Sequence, residues 1–257
     1  MGGLLPRGPI AGLVAPLKAL GFVISHPRLW WLTITPFLIN LGLFALFFWL
    51  TYTRFDAWVR SLLPVGEGWW WQLLLYLLIV LVVLLLLIVE VYLFAVLGRI
   101  VAAPFLELLT QKVETLARPE AGKPPEIGLL KSIWRVALQE SKRVLIYLAV
   151  MLPLLLLNFI PGLGNLLYAA LAWLVTSFFL AGEFLDYPLE RRGFSLGEKM
   201  RYTRSLGITG IGFGAAVFIM GLVPILNLAL LPLAAVGGTL LFLDRPPAAS
   251  TKPIDRS

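Results

Sequence analysis

No cysteine occurs in the 257 residues, which excludes a disulfide, a thiolate nucleophile and a zinc–thiolate site. A single histidine, His26, supplies all the imidazole, so histidine metal clusters and serine–histidine triads lack members. Charge is scarce too: 14% of residues are charged, against 60% hydrophobic. At a mean hydropathy of +0.91, the chain carries more apolar surface than a soluble domain of this length can bury. The chain belongs in a bilayer. No paired aspartates and no nucleophile with a base are visible, so no enzyme, metal or cofactor is expected. The Gly-rich stretch "ITGIGFGAA" (Ile208 to Ala216) lacks the Lys-Ser/Thr pair of a phosphate loop. It reads as close helix packing, and no nucleic-acid partner is expected.

What is present is long apolar runs. Trp69 to Val89 holds 21 residues without a charge, and about 20 suffice to cross roughly 30 Å of hydrocarbon. Leu29 to Tyr52 is a second uncharged run, with Trp30 and Trp31 at one end and Trp49 and Tyr52 at the other. Such rings favour the headgroup boundary. The first 23 residues are apolar but broken by Arg7, Pro9, Pro16 and Lys18. They make a poor signal peptide, and an amphipathic segment on the membrane surface is expected, with Lys18 and Arg28 near anionic lipid.

Orientation follows from the basic residues. Only two of the 21 Lys and Arg lie in the 53–68 connection, whereas 98–143 holds eight and 183–206 holds five. The positive-inside rule then puts the 53–68 loop across the membrane and both termini in the cytoplasm.

Two further apolar segments are each interrupted by proline and asparagine: "FIPGLGNL" at Phe159 to Leu166 and "LVPILNL" at Leu222 to Leu228. The arms around the first have 17 residues each and those around the second 16, or roughly 24 to 26 Å as helices. That is slightly less than the hydrocarbon thickness. Both ends of each hairpin meet basic residues while the tips carry none, which fits hairpins that enter the bilayer and return. Full crossings with tight outer turns remain the alternative. Asn165 and Asn227 would cap the second arm of each hairpin. Each second arm closes on Asp-x-Pro, at Asp186 to Pro188 and Asp244 to Pro246, which suggests an internal duplication.

The polar connections read as helical. Phe105, Leu108, Leu109, Val113 and Leu116 form a stripe that extends the second span, with a bend at Pro104 and a Glu114–Arg118 pair at i, i+4. Leu130, Ile133, Trp134, Ala137 and Leu138 form another stripe, and Ser195 with Glu198 reads as a capping box. The fold expected is an all-α membrane protein: two long transmembrane helices, two partly penetrating helical hairpins and amphipathic cytoplasmic helices. Residues 1–245 would form one integral membrane domain and 246–257 a flexible tail.

Polar residues at membrane depth are the pore-lining candidates. They are Asn40, Glu90, Asn158, Asn165 and Asn227, with Arg99 near the boundary; Thr176 and Ser177 lie at similar depth. Asn40 also suits an interhelical hydrogen bond, and Glu90 a position within reach of water.

Five stretches occur in an order that resembles the CysZ sulfate permeases, within the superfamily of etoposide-induced membrane proteins. They are "SHPRLWWLTITPFLIN" (Ser25 to Asn40), "IVAAPFLELL" (Ile100 to Leu109), "FIPGLGN" (Phe159 to Asn165), "DYPLE" (Asp186 to Glu190) and "GLVPILNL" (Gly221 to Leu228). The resemblance covers roughly residues 10–245. It implies sulfate uptake for cysteine synthesis across the inner membrane, cytoplasmic termini and homo-oligomeric assembly in the lipid bilayer. It also places an oxyanion site before the first transmembrane helix, where the family carries a Gly-Leu-Arg motif. Here that region reads "RLWWLTIT", with one arginine. Arg28, with Leu29 and His26 beside it, is therefore the substrate-binding candidate, aided by N–H groups at the helix start after Pro27. The plainer reading makes Arg28 an interfacial anchor beside tryptophan and His26 a surface or capping residue. A non-transporting membrane scaffold is the alternative function.

Overall fold

The computed structural model describes residues 10–62, 68–119, 129–223, 226 and 229–247. The side chains at 40, 52, 54–62, 90–97, 99–100 and 129–137 lie outside that description. Among the described residues the structure is helical, without a strand. In chain order the helices are α1 (Ile10–Ser25), α2 (Trp30–Leu62), α3 (Trp69–Ala117), α4 (Leu129–Leu155), α5 (Gly164–Arg191), α6 (Leu196–Ser205), α7 (Ile208–Leu222) and α8 (Leu230–Asp244). Short 3₁₀ turns at Pro27–Leu29 and Leu156–Phe159 precede α2 and follow α4.

Residues 31–105 make one compact unit, and residues 1–30 with 106–257 make another. In the first, α2 and α3 contain the two expected spans: Pro27–Thr51 and Trp69–Val89 are both long and apolar enough to cross a membrane. Their described side chains are largely exposed, as suits helices solvated by lipid. Trp31 meets Phe105 edge-on at 6.5 Å. The second span does continue as one long helix: α3 runs 49 residues, through Pro104, to Ala117.

The second unit is built around α8. That helix is apolar around its whole circumference, and such a helix belongs inside a protein. Residues Pro232 to Leu243 are all buried, packed by α1, α5 and α7. Small residues permit this. A Cβ on Gly12 of α1 would fall 1.9 Å from the Thr209 carbonyl oxygen of α7, and one on Gly238 of α8 would fall 2.5 Å from that of Phe184 on α5. The Gly-rich start of α7 is thus close helix packing, as its composition predicts. On α5 the buried face is Ala181, Phe184, Leu185, Pro188 and Leu189, at helical spacing.

Four expectations need correction. First, α1 does more than lie on a membrane surface: Ala11, Ala15, Ala19 and Val23 are buried, because their small side chains fit against α7 and α8. Second, the buried stripe of α3 beyond Pro104 is Leu106, Leu109, Thr110, Val113 and Glu114, while Leu108 and Leu116 are exposed. Third, "DYP" is no helix stop. Pro188 lies inside α5, which ends on a Schellman motif instead: Gly193 (φ +73°) donates to Glu190 and Phe194 to Leu189. The counterpart does end its helix, since α8 stops at Asp244, two residues before Pro246. Fourth, Asn165 is no cap. Leu163 holds the N-cap position without a side-chain bond, and the turn's own carbonyls already accept from Leu163 and Gly164.

Both interrupted segments fold as helical hairpins, α4–α5 and α7–α8. In the first, Leu138–Phe159 and Gly164–Arg191 are long enough to span a bilayer, so length no longer separates crossing from return there. In the second, α7 and α8 have 15 residues each, about 22 Å, short of the hydrocarbon core. The capping box at Ser195 and Glu198 is present and opens α6. Between α6 and α7 the chain bends by 99°, at Gly207, whose φ of +53° suits a residue without Cβ.

Candidate functional site

Arg28 sits in the 3₁₀ turn that joins α1 to α2, and its side chain is exposed. Among the described residues it forms no ion pair. The turn is braced by side chains that satisfy the last carbonyls of α1. His26 Nδ1 lies 2.8 Å from the Phe22 carbonyl oxygen and therefore carries the proton, while its ring stacks on Phe22 at 4.3 Å. Ser25 Oγ donates to the same carbonyl at 2.9 Å, and Trp30 Nε1 donates to Val23 at 3.0 Å. In this geometry His26 caps a helix end.

Leu29 is fully buried. The helix-start N–H groups are largely spent: Leu29 donates to His26, and Trp30 to Pro27. An oxyanion here would be met chiefly by the Arg28 guanidinium.

Of the pore-lining candidates, the structure describes the side chains of Asn158 and Asn165. Asn158 and Asn165 are both exposed near the first hairpin tip, and Asn158 Nδ2 donates to Leu155 at 3.2 Å. The side chains of Asn40, Glu90 and Arg99, and all of Asn227, lie outside the described residues. Thr176 Oγ1 meets Tyr147 Oη at 3.3 Å and ties α5 to α4. Ser177 is buried where α5 meets α7.

Sequence reasoning missed a buried ion-pair cluster at the polar end of α5. Arg191 binds Glu107 at 2.7 Å, Thr110 at 2.9 Å and Glu114. Arg192 binds the other Glu114 oxygen at 2.8 Å and lies 4.5 Å over the Phe242 ring. Glu114 is thereby drawn to α5 instead of pairing with Arg118, because the buried Arg191 guanidinium and the half-buried Arg192 need a carboxylate more than a helix surface does. One turn back, Asp186 pairs with Arg143 of α4 at 3.1 Å and with Lys199 of α6 at 2.5 Å. Lys199 also reaches Glu190, and Gln139 at 2.7 Å. The cluster joins α3, α4, α5 and α6. A signal for part of it was present: Glu107, Thr110 and Glu114 recur at i, i+3 and i+7, a polar stripe that a solvent-facing reading of α3 overlooks.

This arrangement sorts the cations. Arg143, Arg191, Arg192 and Lys199 are neutralised by carboxylates, whereas Arg28 is left exposed at the entry to α2.

The family model described as sulfate transporter CysZ/Etoposide-induced protein 2.4 matches residues 15–232, well over half of the chain. The chain belongs to this family. The matched range takes in the Arg28 turn, the first hairpin, α7 and the cluster residues from Glu107 to Lys199, and ends near the start of α8. As a member of the CysZ/Etoposide-induced 2.4 family with several bilayer-length helices, the protein is a multi-pass membrane protein.

Proposed function

We propose that the protein is an inner-membrane permease or channel that admits an inorganic oxyanion, sulfate foremost, for cysteine synthesis. The observation that carries the reading is the family match over residues 15–232. The Arg28 turn supplies a chemically apt point of contact. A guanidinium presents a planar fork of donors to an oxyanion, and it works best where no carboxylate competes. His26 and Trp30 would hold that turn rigid, and both termini would face the cytoplasm. The α7–α8 hairpin, short for a crossing, would enter the bilayer and return.

Proteoliposomes loaded with purified protein test this. Uptake of labelled sulfate should exceed that of protein-free vesicles and fall at least tenfold in Arg28→Ala. Flux indifferent to the protein would end the sulfate reading and favour the non-transporting scaffold. Flux that depends on the protein but not on Arg28 would retain the permease and move the site elsewhere.

A further inference from the structure

An open groove with a cavity of about 340 Å³ runs between α4, α5 and α6. Its walls are Ile146 and Val150 of α4, Leu174, Val175 and Phe178 of α5, and Met200 of α6, with no polar surface among them. The volume is within the range of sites that hold small ligands. At one end it meets a smaller pocket lined by Arg143, Lys199 and Thr203, so the apolar groove terminates at the polar end of the hairpin. Membrane insertion accounts for basic residues at this end, but it does not require the concavity beside them.

Three exposed cations lie on the elements that flank this end. Lys142 stands four residues before Ile146, on the same face of α4. On α6, Arg204 stands four residues after Met200, and Arg201 is its exposed neighbour. The acids close by are mostly engaged: Glu140 and Asp186 by Arg143, Asp186 and Glu190 by Lys199, and Glu198 by the capping box. Against the three exposed cations stands the half-buried Glu183. The helix that presents the arginines is also fixed in place, since Lys199, Tyr202 and Thr203 are buried and Tyr202 Oη donates to the Arg245 carbonyl at 2.7 Å.

We infer that this groove binds one anionic phospholipid, its acyl chain along Ile146, Val150 and Leu174 and its phosphate on Lys142 and Arg204, with Arg201 beside it. The two halves of the site match the two halves of that ligand, and juxtamembrane basic residues attract anionic lipid at a leaflet surface. The inference uses none of the Arg28 turn and stands apart from the transport reading.

Native mass spectrometry of the full chain, released from detergent after incubation with phosphatidylglycerol or phosphatidylcholine of the same acyl chains, tests it. One phosphatidylglycerol should be retained per chain, with at least tenfold preference over phosphatidylcholine. Val150→Trp, which fills the groove, should abolish retention of both; Leu174→Phe serves if that variant does not fold. Lys142→Gln with Arg204→Gln should remove the preference while keeping the bound chain. Millimolar inorganic phosphate should not displace the lipid. Equal retention of the two lipids by the wild type overturns the inference, as does phosphatidylglycerol retention that survives groove filling. So does a dimer lost on Val150→Trp, which would make the occupant a second copy.

Discussion

A Cβ placed on Gly214 of α7 would fall 1.7 Å from the carbonyl oxygen of Ser177 on α5. Backbone there lies against backbone, a distance that no other residue permits. Without a strong hydrophobic drive between helices in lipid, such close packing is a principal source of helix association. Gly214→Ala should therefore force α5 from α7 and lower stability by about 1–3 kcal/mol or more. Gly21→Ala is the control, since nothing lies within 4 Å of a Cβ there. Thermal melting in detergent should show a clear loss for the first and little change for the second. Equal melting of the two would contradict the observed approach.

The cluster at the end of α5 makes a graded prediction. Glu114 is buried and compensates two guanidiniums, while Glu107 is 37% exposed and binds one. Glu114→Gln leaves buried charge uncompensated, which costs about 3–5 kcal/mol for a fully buried pair. Glu107→Gln should cost clearly less, because water can still reach Arg191 through the exposed side. The measurement is the yield of monodisperse protein and its melting temperature. A reversed order of severity would show that Glu114 is not the principal counter-ion.

Removal of the α6 cap is a more local perturbation. Ser195 accepts from the Glu198 backbone N–H, and the Glu198 carboxylate accepts from the Ser195 N–H at 2.8 Å. Ser195→Ala should destabilise the start of α6 by about 1 kcal/mol. Hydrogen exchange should accelerate roughly fivefold in the first turn of α6 and remain unchanged in α8.

Hairpin depth can be read by labelling, and the absence of cysteine makes the background clean. Single cysteines at Gly162 and Leu226 report the two tips. If both hairpins return to the cytoplasmic side, neither should react with an impermeant maleimide added outside intact cells. Reaction at Gly162 alone would make α4 and α5 full crossings, which their 22- and 28-residue spans allow. Reaction at Leu226 would falsify the re-entry of α7 and α8.

Much of the fold was legible because apolar runs and charge counts act locally. Trp69 to Val89 could be assigned to a membrane from its residues alone, since about 20 uncharged apolar residues have few other stable environments. The capping box was equally readable, as both partners lie within four residues. Less legible was anything that depends on which faces meet. Glu114 looked like a surface partner for Arg118 because i, i+4 spacing is visible in the chain, whereas Arg191 and Arg192 are more than 70 positions away. Asn165 looked like a cap because the carbonyls that satisfy the turn cannot be counted before the turn exists. Of the candidate anion site, Arg28 was picked out by the family resemblance, whereas its place beside tryptophan also suits an interfacial anchor. That Leu29 is buried and the neighbouring N–H groups spent emerged only from the geometry.

By itself the sequence determined the solvent of this protein, its helical class and the places where its greasy segments break. Those properties follow from transfer free energies and backbone chemistry summed along the chain. The tertiary structure alone decided which charges are neutralised and which stay exposed, and that α8 is enclosed by α1, α5 and α7. The reason is physical. Burial and ion pairing depend on distances between residues remote in sequence, and those distances are set when glycine-lined helices close against one another.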